Sequence, residues 1–284
     1  PMNGQQAAQQ QIEEILLYPK IEEVIPEDHI RDQGGNLIVG KVTNPSLTLF
    51  IPSGGSQDKP VVIICPGGGY QNLHIQREGF KVAEAFNREG IAALVLKYRL
   101  PDEEIVKEGT FAPLKDAQRA IQLARENARK WGVDPNKVGI MGFSAGGHLA
   151  STAGVHHDSA FIENTQGVNL RPDFMILVYP VISFDDQVGH VGSKKRLLGN
   201  RADKELEAFF SNELHVNDNT PKCILLHADD DTLVPVENSL LFYNKLHQHN
   251  VPVELHVYAK GNHGFSGTPE FQEWFDTCIQ WMKR

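Results

Sequence analysis

Short, largely apolar runs recur along the chain, spaced so that a helix fits between neighbours. They are Val61–Cys65, Ala92–Leu96, Val138–Met141, Phe174–Val178, Cys223–Leu226 and Val253–Val257. Runs that do not alternate with polar residues suit strands covered on both faces, as in a parallel sheet. Between them the period changes. Leu114, Ala117, Ile121, Ala124, Ala128 and Trp131 are spaced by three and four, which predicts one face of a helix, with Gly132 as its left-handed stop. Phe80, Val82, Ala83 and Phe86 predict a second helix between Gly79 and Gly90, and residues 237–249 and 271–282 predict two more. Strand alternating with helix predicts right-handed βαβ units: an α/β fold with a mostly parallel central sheet and helices on both faces. The segments before Pro52 alternate apolar and polar, as antiparallel edge strands do. Two stretches, about 155–171 and 184–220, break the rhythm and are long enough for lids or substrate-binding insertions. No internal repeat is visible. The polar start, Gln5 to Gln11, reads as a frayed terminus, and Pro52 to Pro60 as a loop. The expectation is one domain over residues 1–284.

Composition narrows the function classes. With 40% hydrophobic and 22% charged residues, the chain is neither disordered nor fibrous. No apolar run approaches the ~18 residues of a membrane span, so no membrane partner is expected. A net charge of -9 repels phosphate backbones, so nucleic acid is not an expected partner either. Cys65, Cys223 and Cys278 are too few and scattered for a disulfide framework, and no Cys-x-x-Cys pair offers a zinc or redox site. Cys65 and Cys223 fall in or beside apolar runs and read as small buried hydrophobes.

The chemistry gathers at strand ends. Gly142-Phe143-Ser144-Ala145-Gly146 fits G-x-S-x-G, directly after one strand and before a helix-compatible run. A serine on such a strained turn is lifted out of the sheet, and the glycines avoid clashes on either side. The turn places the Ala145 N–H and a helix N-terminus near a developing oxyanion. Pro66-Gly67-Gly68-Gly69-Tyr70 follows another strand, and its glycines leave backbone N–H groups open to a ligand, with Gly68 and Gly69 as candidate oxyanion donors. A dinucleotide fingerprint fails there, because Tyr70, Gln71 and Asn72 break its spacing. A serine nucleophile needs a base, and the base an orienting carboxylate. His263, between Gly261-Asn262 and Gly264 after the last strand, is the candidate base. His148, just past the serine, is its rival, and His156 and His157 are candidates for lining the site. The acid lies among Asp229, Asp230 and Asp231 at another strand end, and the residues alone leave the three open. A metal at this cluster lacks further ligand spacing, so neither metal nor organic cofactor is expected. The order Ser, Asp, His is that of the α/β-hydrolases, not of the chymotrypsin-like or subtilisin-like proteases.

From about Val61 onward the chain resembles bacterial α/β-hydrolase carbohydrate esterases, the acetylxylan and feruloyl esterases related to hormone-sensitive-lipase-like esterases. The resemblance is carried by Pro66–Tyr70, Val95-Leu96-Lys97-Tyr98-Arg99-Leu100, Trp131-Gly132-Val133-Asp134-Pro135, the Ser144 turn and the late acid and histidine loops. It implies a Ser144, Asp231, His263 triad, since His227 to Pro235 fits the family's His-x-x-x-Asp-x-x-Val-Pro. Pro66 stands where the lipase-like relatives have His. The implied activity is hydrolysis of short acyl esters on plant polysaccharide, acetate first and ferulate second, with a general short-chain carboxylesterase as the alternative. A prolyl-oligopeptidase-type peptidase shares the triad order but brings a large extra domain for which 284 residues leave no room. A pure binding protein on this fold would have lost triad members. Tyr70, His74 and Glu78 are candidates for contacting an acylated sugar. A polymer substrate favours a periplasmic or secreted protein over a cytoplasmic one. Pro1 as the first residue fits a processed or engineered chain, and the sequence does not show whether a signal peptide was removed. Oligomeric state is not readable.

Overall fold

The computed structural model describes residues 12–19, 25–53, 58–102, 106, 109–201 and 203–284. The polar start and the middle of the 52–60 loop lie outside them. In chain order the first elements are β1 (Glu13–Leu16), β2 (Asp28–Arg31), β3 (Leu37–Gly40), β4 (Ser46–Phe50), β5 (Lys59–Cys65), β6 (Asn72–Leu73), α1 (Lys81–Arg88), β7 (Ala92–Lys97), α2 (Ala112–Glu126) and α3 (Ala128–Trp131). There follow β8 (Val133–Phe143), α4 (Ala145–Val155), β9 (Phe174–Val178), α5 (Val191–Leu198), α6 (Lys204–Phe209), β10 (Lys222–Ala228), α7 (Glu237–Gln248), β11 (Val253–Tyr258) and α8 (Phe271–Met282).

Eight strands form one sheet in the order β1-β4-β7-β5-β8-β9-β10-β11. From β7 to β11 every pair is parallel, whereas β1 and β4 join antiparallel at one edge, as the N-terminal alternation predicts. Each apolar run of the central strands is buried along its length, because helices cover both faces. Consecutive residues of β8 show this directly. Phe143 packs its ring on Trp274 of α8, while Gly142 backs onto α4 on the opposite side. On the α8 side, Phe86 of α1 meets Phe275 at 4.9 Å, so those two helices share a face.

Three details depart from the sequence reading. The long helix before Gly132 is broken at Asn127, whose side-chain amide donates to the Leu123 carbonyl at 2.9 Å and competes with the helical ladder. Gly132 does adopt the left-handed conformation, with φ 65°. The helix after Gly79 is preceded by a π-helical turn, Gln76–Phe80. A small antiparallel sheet, β2-β3-β6, stands apart from the main one. Of the two stretches without rhythm, the first carries no helix or strand between Val155 and Phe174, and the second holds α5 and α6.

The Tyr98-Arg99-Leu100 segment, at the end of β7, ties this frame to the loop after β5. Tyr98 is buried and its hydroxyl donates to the Pro66 carbonyl at 2.7 Å. Arg99 pairs with the fully buried Asp116 of α2 at 2.6 Å, and Tyr18 also donates to that carboxylate. Burial raises the Asp116 pKa, and Arg99 opposes the shift. Asp116→Ala should therefore remove the buried carboxylate that pairs with the largely buried Arg99 guanidinium and accepts from Tyr18. The expected loss is about 3–5 kcal/mol, read as a lower denaturant midpoint with unchanged slope. A midpoint within error of the parent would show the pair to be energetically idle.

Candidate active site

Ser144 sits between β8 and α4 with φ 52° and ψ −118°, a conformation costly for any residue with a Cβ. The turn is possible because its flanking residues have no side chains. A Cβ on Gly142 would run into the Gly146 backbone, and one on Gly146 into the carbonyls of Cys65 and Pro66. The Ser144 N–H is held by the Val178 carbonyl at 3.1 Å, so neighbouring β9 fixes the turn.

His263 Nε2 lies 2.9 Å from Ser144 Oγ, and His263 Nδ1 lies 2.7 Å from Asp231 Oδ2. Since a carboxylate only accepts, Nδ1 carries the proton and Nε2 accepts from the serine hydroxyl. Asp231 Oδ1 accepts the N–H groups of Leu233 and Val234 at 3.0 and 2.9 Å. Asp230 faces elsewhere: it accepts the Asn262 N–H at 2.7 Å and lies 3.7 Å from Lys260. Burial would raise the Asp231 pKa, but His227 and His263 outweigh it and hold the carboxyl well below the usual range. His227 is fully buried, with Nε2 2.9 Å from the Val234 carbonyl and 3.3 Å from Asp231 Oδ2. A carbonyl accepts only, so His227 Nε2 bears the hydrogen and Nδ1 accepts from Ser239 at 2.7 Å. That is the physical content of His-x-x-x-Asp-x-x-Val-Pro: the histidine binds both ends of the acid loop.

The loop after β5 is held by its carbonyls. Pro66 accepts from Tyr98, Gly67 from the His74 N–H at 2.9 Å, and Gly68 from the Gln71 N–H at 3.0 Å. The Gly67 N–H is spent on Glu78 Oε2 at 2.8 Å. Among the described residues, the N–H groups of Gly68, Gly69 and Ala145 have no acceptor. Gly68, with φ 139°, needs its missing Cβ, which would enter the Asn72 carbonyl.

Of the proposed sugar contacts, Glu78 and the Tyr70 hydroxyl are engaged within the protein. Glu78 is buried, and both its oxygens are occupied: Oε2 by Gly67, and Oε1 by Arg77 at 2.8 Å and the Tyr179 hydroxyl at 3.2 Å. Tyr179 in turn sets its ring edge-on to His263 at 5.0 Å. Glu78 therefore links the glycine loop to the imidazole. Tyr70 is buried with its hydroxyl 2.8 Å from His148 Nδ1, and His148 Nε2 donates to the Phe210 carbonyl at 2.7 Å. His148 thus has no free nitrogen for Ser144, and burial lowers its pKa to about 4. His74 is half-buried, and its side chain makes no hydrogen bond among the described residues. His156 stacks on Phe209 and His157 pairs with Asp158, so neither ring bonds to Ser144.

Tyr179, already described, and His190 both escaped the sequence reading. His190 caps α5, accepting the Ser193 N–H on Nδ1 at 3.3 Å, so its Nε2 bears a hydrogen. Its ring stands over the loop, with Cε1 3.9 Å from where a Gly69 Cβ would be. Burial, then the charge of His263, depress its pKa. Its only sequence signal is a helix cap inside an unpatterned insertion. Among the described residues, no three metal-binding side chains converge, and no helix is long and apolar enough to cross a membrane.

Known proteins resemble the chain in sequence and in fold. Residues 47–246 match the BD-FAE family. The chain is 35% identical over 248 residues to an acetylxylan esterase of Xylanibacter ruminicola, covering 84% of this chain and 48% of the relative. It is 39% identical over 208 residues to endo-1,4-beta-xylanase B of Butyrivibrio fibrisolvens, covering 72% of this chain and 32% of that one. It thus spans half or less of these two curated relatives. The solved acetyl ester-xyloside bifunctional hydrolase of Caldicellulosiruptor lactoaceticus superposes with a TM-score of 0.80 at 39% identity, covering 95% of both chains. With that fold, this arrangement of side chains and a match over residues 47–246, the chain belongs to the BD-FAE family of α/β-hydrolase esterases.

Proposed function

We propose that the protein is a serine esterase that removes acetyl groups from acylated xylan or xylo-oligosaccharides. The observation that carries the chemistry is the hydrogen-bonded line from Ser144 Oγ through His263 to Asp231, at 2.9 and 2.7 Å. The sugar ester follows from the relatives' names together with the 95% mutual coverage of the acetyl ester hydrolase.

In this reading Ser144 Oγ attacks the acyl carbon while His263 Nε2 takes its proton. The C=O pair moves onto oxygen, and the oxyanion is met by the unspent N–H groups of Gly68, Gly69 and Ala145. Asp231 stays ionised and stabilises the imidazolium. Collapse expels the sugar oxygen, which takes the proton back from His263. Water, deprotonated by the same nitrogen, then releases acetate and restores Ser144. Acetate release from acetylated xylo-oligosaccharides, beside p-nitrophenyl acetate, tests the assignment. Release from both supports it. Cleavage of the activated ester alone would sink the sugar-ester assignment and leave a general carboxylesterase.

Glu78 acts in this scheme as a positioning residue. Glu78→Gln keeps the shape but replaces one carboxylate oxygen with an amide that donates. Either Gly67 or the Arg77/Tyr179 side then loses its acceptor. Loosening the donors should lower kcat about tenfold to a hundredfold, up to the lower end of the ~10²–10³ cost of removing one oxyanion donor outright, with KM for p-nitrophenyl acetate little changed. A variant that melts normally and keeps the parent kcat would refute the role.

A further inference from the structure

We propose that a second part of the site, a cleft of about 600 Å³ beside the glycine loop, holds the sugar units flanking the acylated one. This rests on the sugar-ester reading above and extends it. The cleft begins one residue beyond Gly69, where Tyr70 and Gln71 form part of its lining. One wall comes from the small sheet, in which Gly40 of β3 pairs with Asn72 of β6 and thereby fastens the wall to the loop. The other wall is the end of α5 and the turn after it, with Arg196 and Asn200. Because α5 starts at His190 over Gly69, the same short helix borders both the reacting centre and the cleft.

The lining chemistry selects the occupant. Cation and anion balance: Lys41 pairs with Asp28 at 3.2 Å, and Arg196 is matched in number by Asp102. A phosphate-bearing ligand would need a surplus of positive charge, and an acyl chain would need an apolar lining. Here Ile30, Leu100 and Pro101 supply apolar surface among polar groups. The side chains of Gln71, Arg196 and Asn200 make no hydrogen bonds among the described residues, so their donors are unspent. A neutral saccharide, with C–H faces and hydroxyls that both donate and accept, matches that mixture. The volume lies within the 300–1,000 Å³ range of ligand clefts and exceeds the needs of an acetyl group.

The test compares kcat/KM for monoacetylated xylose, acetylated xylotetraose and p-nitrophenyl acetate, in the parent and in the Arg196→Ala Asn200→Ala double variant. Losing one such hydrogen bond costs roughly threefold to tenfold in binding. Two lost bonds should therefore lower the tetraose-to-p-nitrophenyl-acetate ratio about tenfold, mainly through KM. Isothermal titration of unacetylated xylotetraose into Ser144→Ala protein should show binding that the double variant weakens. If acetylated xylose and tetraose are cleaved equally well and the ratio survives the double variant, the cleft is idle and only this inference falls. If the parent cleaves p-nitrophenyl acetate but no sugar ester, the functional reading falls and takes the cleft with it.

Discussion

Ser144→Ala should lower the turnover of acetyl esters by about 10⁶-fold, as removal of a triad nucleophile does elsewhere. The size follows from the geometry. Among the described residues, His263 and Asp231 have no other nucleophile in hydrogen-bonding reach, so the variant keeps a base with nothing to activate. What remains is the N–H triplet and the bound substrate, which together leave a residual ~10³–10⁴ over water. Stability should barely move. Alanine carries the same Cβ through the same φ of 52°, so the strain of the turn is unchanged, and the lost bond was to a ring that reaches solvent. The decisive result is acetate release below detection with an unshifted thermal melt. More than about one per cent of parent activity, free of contaminating parent enzyme, would remove Ser144 from the role of nucleophile.

The sheet was readable because its strands are buried on both faces. Burial selects unbroken apolar runs, and β5, β7, β9 and β10 contain nothing else for four residues or more. The Ser144 turn was readable because sterics admit only glycine at 142 and 146. Both signals are local, and local constraints are what a sequence displays. The small sheet was not readable: its strands are two to four residues long, and β2 is largely exposed, so no period develops. Glu78 was singled out, but not for its hydrogen bonds to Gly67 and Tyr179. Its partner Tyr179 lies 101 residues away, and nothing near either residue announces the pairing. Tyr98 is a similar case, its motif noticed while the Pro66 carbonyl it holds lies 32 residues back. His190 shows the limit most clearly. It enters the site from an insertion whose helix is set by packing against the fold, and its chemistry appears only when that helix is placed over Gly69.

The three aspartates after β10 mark the same boundary, and they give the second large expected effect. Asp231→Asn should lower kcat by about 10⁴, whereas Asp230→Asn should stay within a few fold. The carboxylate of Asp231 fixes the proton of His263 on Nδ1. An amide there can present its NH₂ to the ring, which stabilises the tautomer with the hydrogen on Nε2 and leaves Ser144 facing a donor instead of a base. The chain would not compensate by turning the amide over. Asp231 Oδ1 accepts two backbone N–H groups, from Leu233 and Val234, and Oδ2 accepts from both His227 and His263. An amide NH₂ therefore meets donors whichever way it faces, so Asp231→Asn should also melt earlier than the parent. Asp230 is in a different position. Its acceptor role toward the Asn262 N–H can be filled by an asparagine oxygen, and its Lys260 contact is an exposed pair of little energetic weight. Turnover of the two variants, measured side by side, separates the residues that the sequence leaves equivalent. Equal losses would mean that the acid loop acts as a unit, and a larger loss at 230 would transfer the orienting role away from Asp231.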